Sequence, residues 1–294
     1  MGKRKMLKDT DVDMDDAKRP ATQDSSESED DTEILNVDFE WFDPQPAVDF
    51  HGLKVLLRQL FDIDAQLFDL SALTDLILEQ RLLGSTVKVD GNESDPFAFL
   101  SVLNLREHQD KPVVRNLIGY LQKKASSNPS FSTLASLLSQ SAIPPIGLIL
   151  TERLMNIPPE VVPPMYTMLL EEIAWALEEK EPYEFSHYLI LSKRYEEVVS
   201  NLDTEESRPQ KKKRKNAYNT RQRFYFHPED EVFEDHALCH GTFEYTNQQA
   251  EGHSDSKRAF QELGIKPAGS LILIDTERFQ PAVTNVAEFL KPPT

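Results

Sequence analysis

The densest group of possible metal ligands in the sequence is "HALCH", which holds His236, Cys239 and His240 within five residues. On a helix, histidines four residues apart would face the same way, as a zinc site requires. The surrounding residues instead predict a strand, in which four residues at about 3.3 Å each would hold the two histidines about 13 Å apart. No second Cys or His pair has zinc-like spacing, so we expect ordinary packing here and no metal.

The same segment contains the only candidate for nucleophilic catalysis, Cys239 beside a histidine. The acids Glu234 and Asp235 lie nearby in sequence and would raise the pKa of the thiol, which makes it a poorer nucleophile. The sequence has no Gly-rich phosphate loop and no serine in a nucleophile elbow. We therefore expect no catalytic residue.

A possible cofactor turn is "RLLGST" at residues 81–86, a near match to the R/Q-x-x-G-x-G/A turn by which acyltransferases hold the pyrophosphate of coenzyme A. Thr86 stands where the turn needs its last small residue. A strand rather than a helix is predicted to follow, so the amide groups of a helix N-terminus would not face the ligand. No cofactor is expected.

Residues 208–223, "RPQKKKRKNAYNTRQR", carry eight cations and no anion, although the chain has a net charge of -18. A nucleic-acid binder spreads its cations over a face, whereas these lie in one flexible polar loop predicted at about 203–221. Its core is predicted to be a nuclear-import signal. That core consists of Lys211, Lys212, Lys213, Arg214 and Lys215. A loop without function, or local nucleic-acid contact aided by neighbouring aromatic residues, stays open as an alternative.

Residues 1–33 are rich in acids and poor in large apolar side chains, which predicts a disordered acidic tail. Ser26 and Ser28 each precede an acid by three residues (Glu29 and Asp31), a pattern that an acid-directed kinase reads. Phosphate at these serines would add negative charge. A tail that only aids solubility is the alternative.

The rest of the chain, residues 34–294, is long and hydrophobic enough for a single folded α/β domain, since 39% of all residues are hydrophobic. One cysteine in 294 residues fits a reducing compartment, cytosol or nucleus. No run approaches the roughly 20 apolar residues of a membrane span, and no secretory signal is visible.

Hydrophobic periodicity predicts the elements that position these groups. Leucines at helical spacing predict a first helix (Leu53, Leu56, Leu57, Leu60), and a second helix opens at Asp69 (Leu73, Leu76, Ile77, Gln80). "STVKVD" and "FAFLSVLNL" predict a hairpin, followed by two helices and the strand "IGLILTERL". The alternation of helices and strands, up to a final strand and helix, indicates an α/β or α+β domain with a mixed sheet.

The clearest helix begins after the prolines of "MNIPPEVVPPMYTMLLEEIAWALEEKEP". Its predicted buried stripe is Tyr166, Leu169, Leu170, Ile173, Ala176 and Leu177. Its predicted polar side carries Glu171, Glu172, Glu178 and Glu179. Trp175 and Tyr183 are expected in the core. The later segment "HPEDEVFEDHALCH" predicts a short acidic helix followed by a strand.

Six landmarks in a fixed order resemble the BCCIP family, and in particular its fungal, nuclear branch. After the acidic tail these are "VDFEWFDPQPAVDFHGLKVLLRQL", "NIPPEVVPPMYTMLLEEI", "YLILSKRYEE", the Lys-rich insertion, "FYFHPEDEVFEDHA" and "LILIDTERF". The resemblance covers about residues 34–290.

The resemblance implies a fold similar to GCN-type N-acetyltransferases without their coenzyme A site, and no catalysis. It implies a nuclear chaperone that shuttles to the cytoplasm, binds a basic large-subunit ribosomal protein of the universal L-fourteen type, and supports ribosome assembly and export of cargo. We expect a monomer that also meets the nuclear import machinery. Animal relatives are described as partners of a DNA-repair tumour suppressor and a cyclin-kinase inhibitor, and whether those partners apply to this sequence stays open.

An anionic protein surface would cover the cationic face of a ribosomal protein before RNA does. The predicted contacts are first Glu171, Glu172, Glu178 and Glu179, and second Glu229, Asp230, Glu231, Glu234 and Asp235. Solvated acidic faces without a partner are the alternative. Two other functions stay open, an acyltransferase-like enzyme with an atypical coenzyme A pocket and a nucleic-acid-associated repair or cell-cycle adaptor.

Overall fold

The computed structural model describes residues 37–80, 83–197, 223–247 and 265–291. The acidic tail with Ser26 and Ser28, and the basic loop with its lysine run at 211–215, lie outside these residues. The predicted disorder, phosphorylation and import signal therefore stay predictions.

The described residues contain eight strands and seven α-helices. The strands are β1 (Glu40–Phe42), β2 (Ser85–Lys88), β3 (Ala98–Asn104), β4 (Ile146–Arg153), β5 (His187–Glu197), β6 (Arg223–Tyr225), β7 (Cys239–Phe243) and β8 (Ile265–Asp275). The helices are α1 (Pro46–Phe61), α2 (Leu70–Leu78), α3 (Pro112–Ser127), α4 (Ser132–Leu138), α5 (Val162–Glu178), α6 (Glu229–Asp235) and α7 (Thr276–Phe289). Short 3-10 segments cover Asp62–Leu67, Pro129–Phe131 and Pro159–Val161.

All eight strands join one mixed sheet in the order β1-β2-β3-β4-β5-β8-β7, with β6 paired to β5. The β4–β5 pair is parallel and the other pairs are antiparallel. Pairing of β4 with β5 runs from Ile146 opposite His187 to Leu150 opposite Leu191. Farther along, β5 pairs with β6, where Arg194 lies opposite Tyr225. Beyond Leu150 and Leu191, β4 and β5 are therefore no longer paired with each other. Charged residues occupy the place where the two strands separate.

Each face of the sheet has its own hydrophobic core, because successive strand residues point to opposite sides. Leu148 and Leu150 of β4 belong to the core shared with α1 to α4. Ile149 belongs to the core shared with α5 to α7. This arrangement of helices on both faces of a mixed sheet confirms the predicted α/β class.

Local sequence signals account for most helix boundaries. The Asp69 side chain accepts hydrogen bonds from the backbone N–H groups of Ser71 and Ala72, and so caps α2 at its predicted start. The four leucines of the predicted first helix are all buried in α1. At the edges the predictions were wrong: α2 ends at Leu78, before Gln80, and Leu177 of α5 is exposed.

The strand β1 was missed because three residues are too few to show a periodic pattern. The predicted hairpin of β2 and β3 is confirmed as an antiparallel pair. Its turn passes through Asp90 and Gly91 at positive φ, a conformation that glycine adopts without strain. Within the described ranges, no helix has both the length and the apolar character needed to cross a membrane.

Candidate partner-binding site

Three of the four glutamates predicted on the polar side of α5 point into solvent: Glu171, Glu178 and Glu179. Trp175 lies among them and is 59% exposed, so its predicted place in the core was wrong. Side chains four residues apart on a helix are neighbours, which sets Trp175 between Glu171 and Glu179. We call these four residues the outer face of α5. It presents a large aromatic ring within an acidic surface.

Glu172 does not belong to that face, because its side chain is buried at 7% exposure. Its Oε2 accepts a hydrogen bond of 2.8 Å from the backbone N–H of Gly84. Burial raises the pKa of Glu172; the Gly84 hydrogen bond offsets part of that rise, and the carboxylates of Asp43 and Glu171 add to it. The expectation that Glu172 is a surface contact is therefore corrected.

A cavity of about 710 Å³ opens beside Glu172 and Trp175, between α5, the end of α2 and the segment before α1. Four of the residues that line it carry carboxylates: Asp43, Glu79, Glu171 and Glu172. Its apolar wall includes Leu78, Leu83 and Met168. Of the described residues in its wall, none is a lysine, an arginine or a histidine. The described part of the wall is thus acidic, with one aromatic residue and an apolar lining.

The second predicted contact region, α6, turns three of its five acids inward. Glu229, Asp230 and Glu234 are buried, while Glu231 and Asp235 remain exposed. The three buried acids have partners on the sheet, so their predicted role as surface contacts is corrected. This inward orientation places Phe233, which is fully buried, in the core between α6 and the sheet.

Arg153 at the end of β4 pairs with Glu229 through two hydrogen bonds, from Nη1 to Oε1 at 2.5 Å and from Nη2 to Oε2 at 3.1 Å. Both side chains are less than 10% exposed. A bidentate arginine–carboxylate pair is the strongest kind of ionic contact, and a buried one leaves an uncompensated charge if either partner is removed. The pair therefore fastens α6 to the sheet.

The next layer is a chain of hydrogen bonds around His227. Glu152 contacts Lys193 Nζ at 2.6 Å and His227 Nε2 at 3.1 Å. Burial would raise the pKa of Glu152, but His227 and Lys193 together hold it below its usual value. The hydroxyl of Ser192 donates to Asp230 Oδ2 at 2.6 Å. Burial nevertheless raises the pKa of Asp230 to about 6.

Arg194 and Glu234 form a third buried ion pair in this region. The hydroxyl of Tyr225 donates to Glu234 Oε2 at 3.0 Å, and the ring of Tyr225 lies 4.5 Å from the Arg194 guanidinium. These contacts fill the place where β4 and β5 separate. Three carboxylates there each face a lysine or an arginine, so the region is internal scaffolding for α6 and not a binding surface.

The three residues of "HALCH" meet different neighbours. The predicted strand begins at Cys239, so His236 lies outside it, at the end of α6, where its Nε2 is 2.8 Å from Asn285 Nδ2. His240 lies 3.1 Å from Glu234. Burial, and not the neighbouring acids that the sequence suggested, raises the pKa of the Cys239 thiol, while a hydrogen bond with the Leu134 backbone lowers it in part. The described residues contain no cluster of three potential metal ligands.

The "RLLGST" segment runs into a strand, β2, which begins at Ser85. Arg81 and Leu82 lie outside the described residues. Gly84 has a φ of 113°, and it directs its N–H to the Glu172 carboxylate. The glycine that would approach a phosphate in an acyltransferase turn therefore binds an anionic side chain of α5 instead.

Sequence reasoning missed the cations that hold α6, although the sequence contained a signal for them. Lys193 and Arg194 interrupt the apolar run of β5, and Arg153 ends the apolar run of β4. A charged residue within a central strand needs a buried partner, and an acidic helix elsewhere in the chain is the natural source. For α5, Glu172 lies three residues after Leu169 and four before Ala176, which places it on the buried side.

The comparisons with known proteins agree on one family. The family model described as BCCIP matches residues 34–233. "Protein bcp1" of Aspergillus fumigatus is 71% identical over 293 residues and covers 100% of both chains. "Protein bcp1" of Schizosaccharomyces pombe is 48% identical over 261 residues, covering 88% of this chain and 91% of its own.

A solved structure also matches, the crystal structure of BCP1 from Saccharomyces cerevisiae. It has a TM-score of 0.61 and 30% sequence identity, and the match covers 91% of this chain and 97% of that chain. The resemblance noted in the sequence is thereby confirmed in both sequence and fold. The chain belongs to the BCCIP family.

Proposed function

We propose that this protein is a non-enzymatic, acidic nuclear escort that binds a basic large-subunit ribosomal protein, of the universal L-fourteen type, before its assembly into the ribosome. The observation that carries the proposal is the outer face of α5, where Glu171, Glu178 and Glu179 surround an exposed Trp175 beside an acidic cavity. The net charge of the chain, -18, has the same sign.

The physical basis is charge complementarity. Ribosomal proteins neutralise RNA phosphates with lysine and arginine, and free in the cell they meet the wrong RNA. An anionic surface speeds encounter with such a client and competes for its cationic face. An exposed tryptophan adds the kind of aromatic anchor that dominates protein interfaces. The exposed acids of α6, Glu231 and Asp235, offer a smaller secondary contact.

The acidic cavity weighs against the rival acyltransferase function. Coenzyme A carries phosphates, and four carboxylates in the cavity wall would repel them. In the proposal the fold is a relative of GCN-type N-acetyltransferases that lacks their cofactor site, and the escort enters the nucleus through Lys211–Lys215 and returns to the cytoplasm with cargo.

The test is a titration of the full-length protein with the purified ribosomal protein, followed by calorimetry at several salt concentrations. We expect a 1:1 complex whose affinity falls steeply between about 50 and 200 mM salt, because salt screens the contacts made by the carboxylates. A second ribosomal protein of similar net charge serves as the specificity control. Absence of a complex at low salt, or equal affinity for both proteins, would overturn the proposal of a dedicated escort.

The nuclear part is tested separately in cells. Alanine at all five positions from Lys211 to Lys215 is expected to abolish nuclear accumulation without weakening the purified complex. Unchanged localisation removes the import signal from the proposal.

A further inference from the structure

The cavity beside α5 is short of hydrogen-bond donors. Glu172 Oε2 accepts one bond from Gly84, and Glu172 Oε1 accepts none from the described residues. Gln80 lies in the same wall, but its Nε2 donates to Ser101 at 3.1 Å and its Oε1 is closed to solvent, so Gln80 offers a ligand no acceptor. The Glu172 carboxylate, half satisfied by the described residues, favours a ligand that donates hydrogen bonds.

The carboxylates that line the cavity also favour a ligand of a particular charge. Asp43 and Glu171 stand close enough to Glu172 to raise its pKa, and no described residue forms a salt bridge with Glu172. Three carboxylates thus share a partly desolvated space, and none of the described residues that line it is a cation. A cationic ligand would relieve their mutual repulsion, whereas an anionic or an apolar ligand would leave it in place.

Trp175 and the apolar part of the wall favour the guanidinium of arginine over the ammonium of lysine. A guanidinium is planar, stacks on aromatic faces and presents five donors in a fixed fork, whereas an ammonium is compact, strongly hydrated and non-planar. Leu78, Leu83 and Met168 suit the methylene stem of a long side chain. A cavity of about 710 Å³ is large enough for a whole side chain with part of its backbone.

We propose that this cavity binds an arginine side chain of the basic partner, with its guanidinium held between the Trp175 ring and the Glu172 carboxylate. The inference rests on the proposed function, since it names the client group that the α5 surface recognises. It distinguishes two parts of the interface: a diffuse acidic face that accepts any cation, and one socket that prefers arginine.

The experiment uses the full-length protein and two fluorescent peptides of equal length and charge, one with arginines and one with lysines at the same positions. We expect the arginine peptide to bind about tenfold more tightly. Trp175→Ala and Glu172→Gln should each weaken the arginine peptide about tenfold and remove its advantage. The matched control is Glu231→Gln on α6, which changes an exposed acid away from the cavity and should leave the preference intact.

A second readout is tryptophan emission. The chain has two tryptophans, and Trp41 donates a hydrogen bond from its indole N–H to Val161 O, away from the cavity lining. The arginine peptide should change the emission of the wild type and of Glu231→Gln, and leave that of Trp175→Ala unchanged. Equal binding of both peptides to the wild type would overturn the arginine site, and so would Trp175→Ala or Glu172→Gln variants that keep the arginine preference. In either case the escort function stands if the wild type still binds the ribosomal protein. If the wild type binds neither the peptides nor the ribosomal protein, both proposals are overturned.

Discussion

The helices α5 and α6 look alike in sequence, since each is dense in acids and each follows a proline-containing turn. In the fold they serve opposite purposes. α5 and its C-cap residue Glu179 expose three of four glutamates around Trp175, whereas α6 buries three of its five acids against the sheet. The two regions show that acidity along a helix does not predict an acidic surface.

The cause of the difference lies in the strands behind each helix. α6 lies over the place where β4 and β5 separate, and Arg153 and Arg194 there draw its carboxylates inward. α5 packs through apolar side chains such as Leu169 and Ile173, and its one inward glutamate meets only a backbone N–H. The charge that a helix shows to solvent is what remains after its internal partners are satisfied.

The largest effect is expected from removing the cation behind α6. Arg153→Met leaves Glu229 buried without a partner and should lower the free energy of unfolding by about 3–5 kcal/mol. On α5, Glu171→Gln removes an exposed charge and should change the free energy of unfolding by less than about 0.5 kcal/mol. Urea unfolding of both variants, followed by circular dichroism, measures the contrast.

A double variant, Arg153→Met with Glu229→Met, is the control for this contrast. It removes both charges, so much of the lost stability should return. A double variant as unstable as the single one would show that packing, and not the unpaired carboxylate, dominates the loss.

The second effect concerns pH and Asp230. Its pKa is raised to about 6 from a usual value of 3.8, because it is buried. Between about pH 4 and 6 the Asp230 carboxyl keeps a proton in the folded state that it has lost in the unfolded state, so the contribution of Asp230 to stability falls as pH rises through this window. A pKa shift of about two units corresponds to a loss of roughly 3 kcal/mol at most in the free energy of unfolding.

Asp230→Asn cannot ionise, and its amide oxygen can still accept the hydrogen bond from Ser192. The variant should therefore melt at a higher temperature than the wild type at pH 7.5, and the difference should shrink as pH falls toward 4. Melting curves of the variant and the wild type between pH 4 and 7.5 measure this difference in melting temperature. A variant less stable than the wild type at pH 7.5 would mean that Asp230 is needed as an anion.

Most of the fold could be predicted from the sequence, because helices such as α1 have strong periodic patterns and strands such as β5 contain short apolar runs. The candidate site was predicted less well. Patterns place apolar residues inside and charged residues outside, so they put Trp175 in the core and Glu229 on the surface. The two errors have different causes. Glu229 meets Arg153, 76 residues away in sequence, and a helix pattern does not contain that contact. Trp175 lies outside the predicted buried stripe of α5, so its residue type, and not the helix pattern, placed it in the core.

The smallest effect is on binding, and it separates the exposed parts of the two helices. The triple variant Glu171→Gln, Glu178→Gln, Glu179→Gln should weaken the ribosomal protein complex about tenfold, or about 1.4 kcal/mol, and flatten its salt dependence. Glu231→Gln with Asp235→Asn on α6 should weaken it less than about threefold, because two exposed acids without a neighbouring aromatic anchor contribute little once solvent screens them. Calorimetry at fixed salt compares the two variants with the wild type.

Because all five positions are exposed, neither variant should lower the melting temperature, so a loss of affinity reports on contact alone. If the α6 pair weakens binding more than the α5 triple, then the client sits over the outer edge of α6, and the arginine socket beside α5 would have to be given up as its anchor.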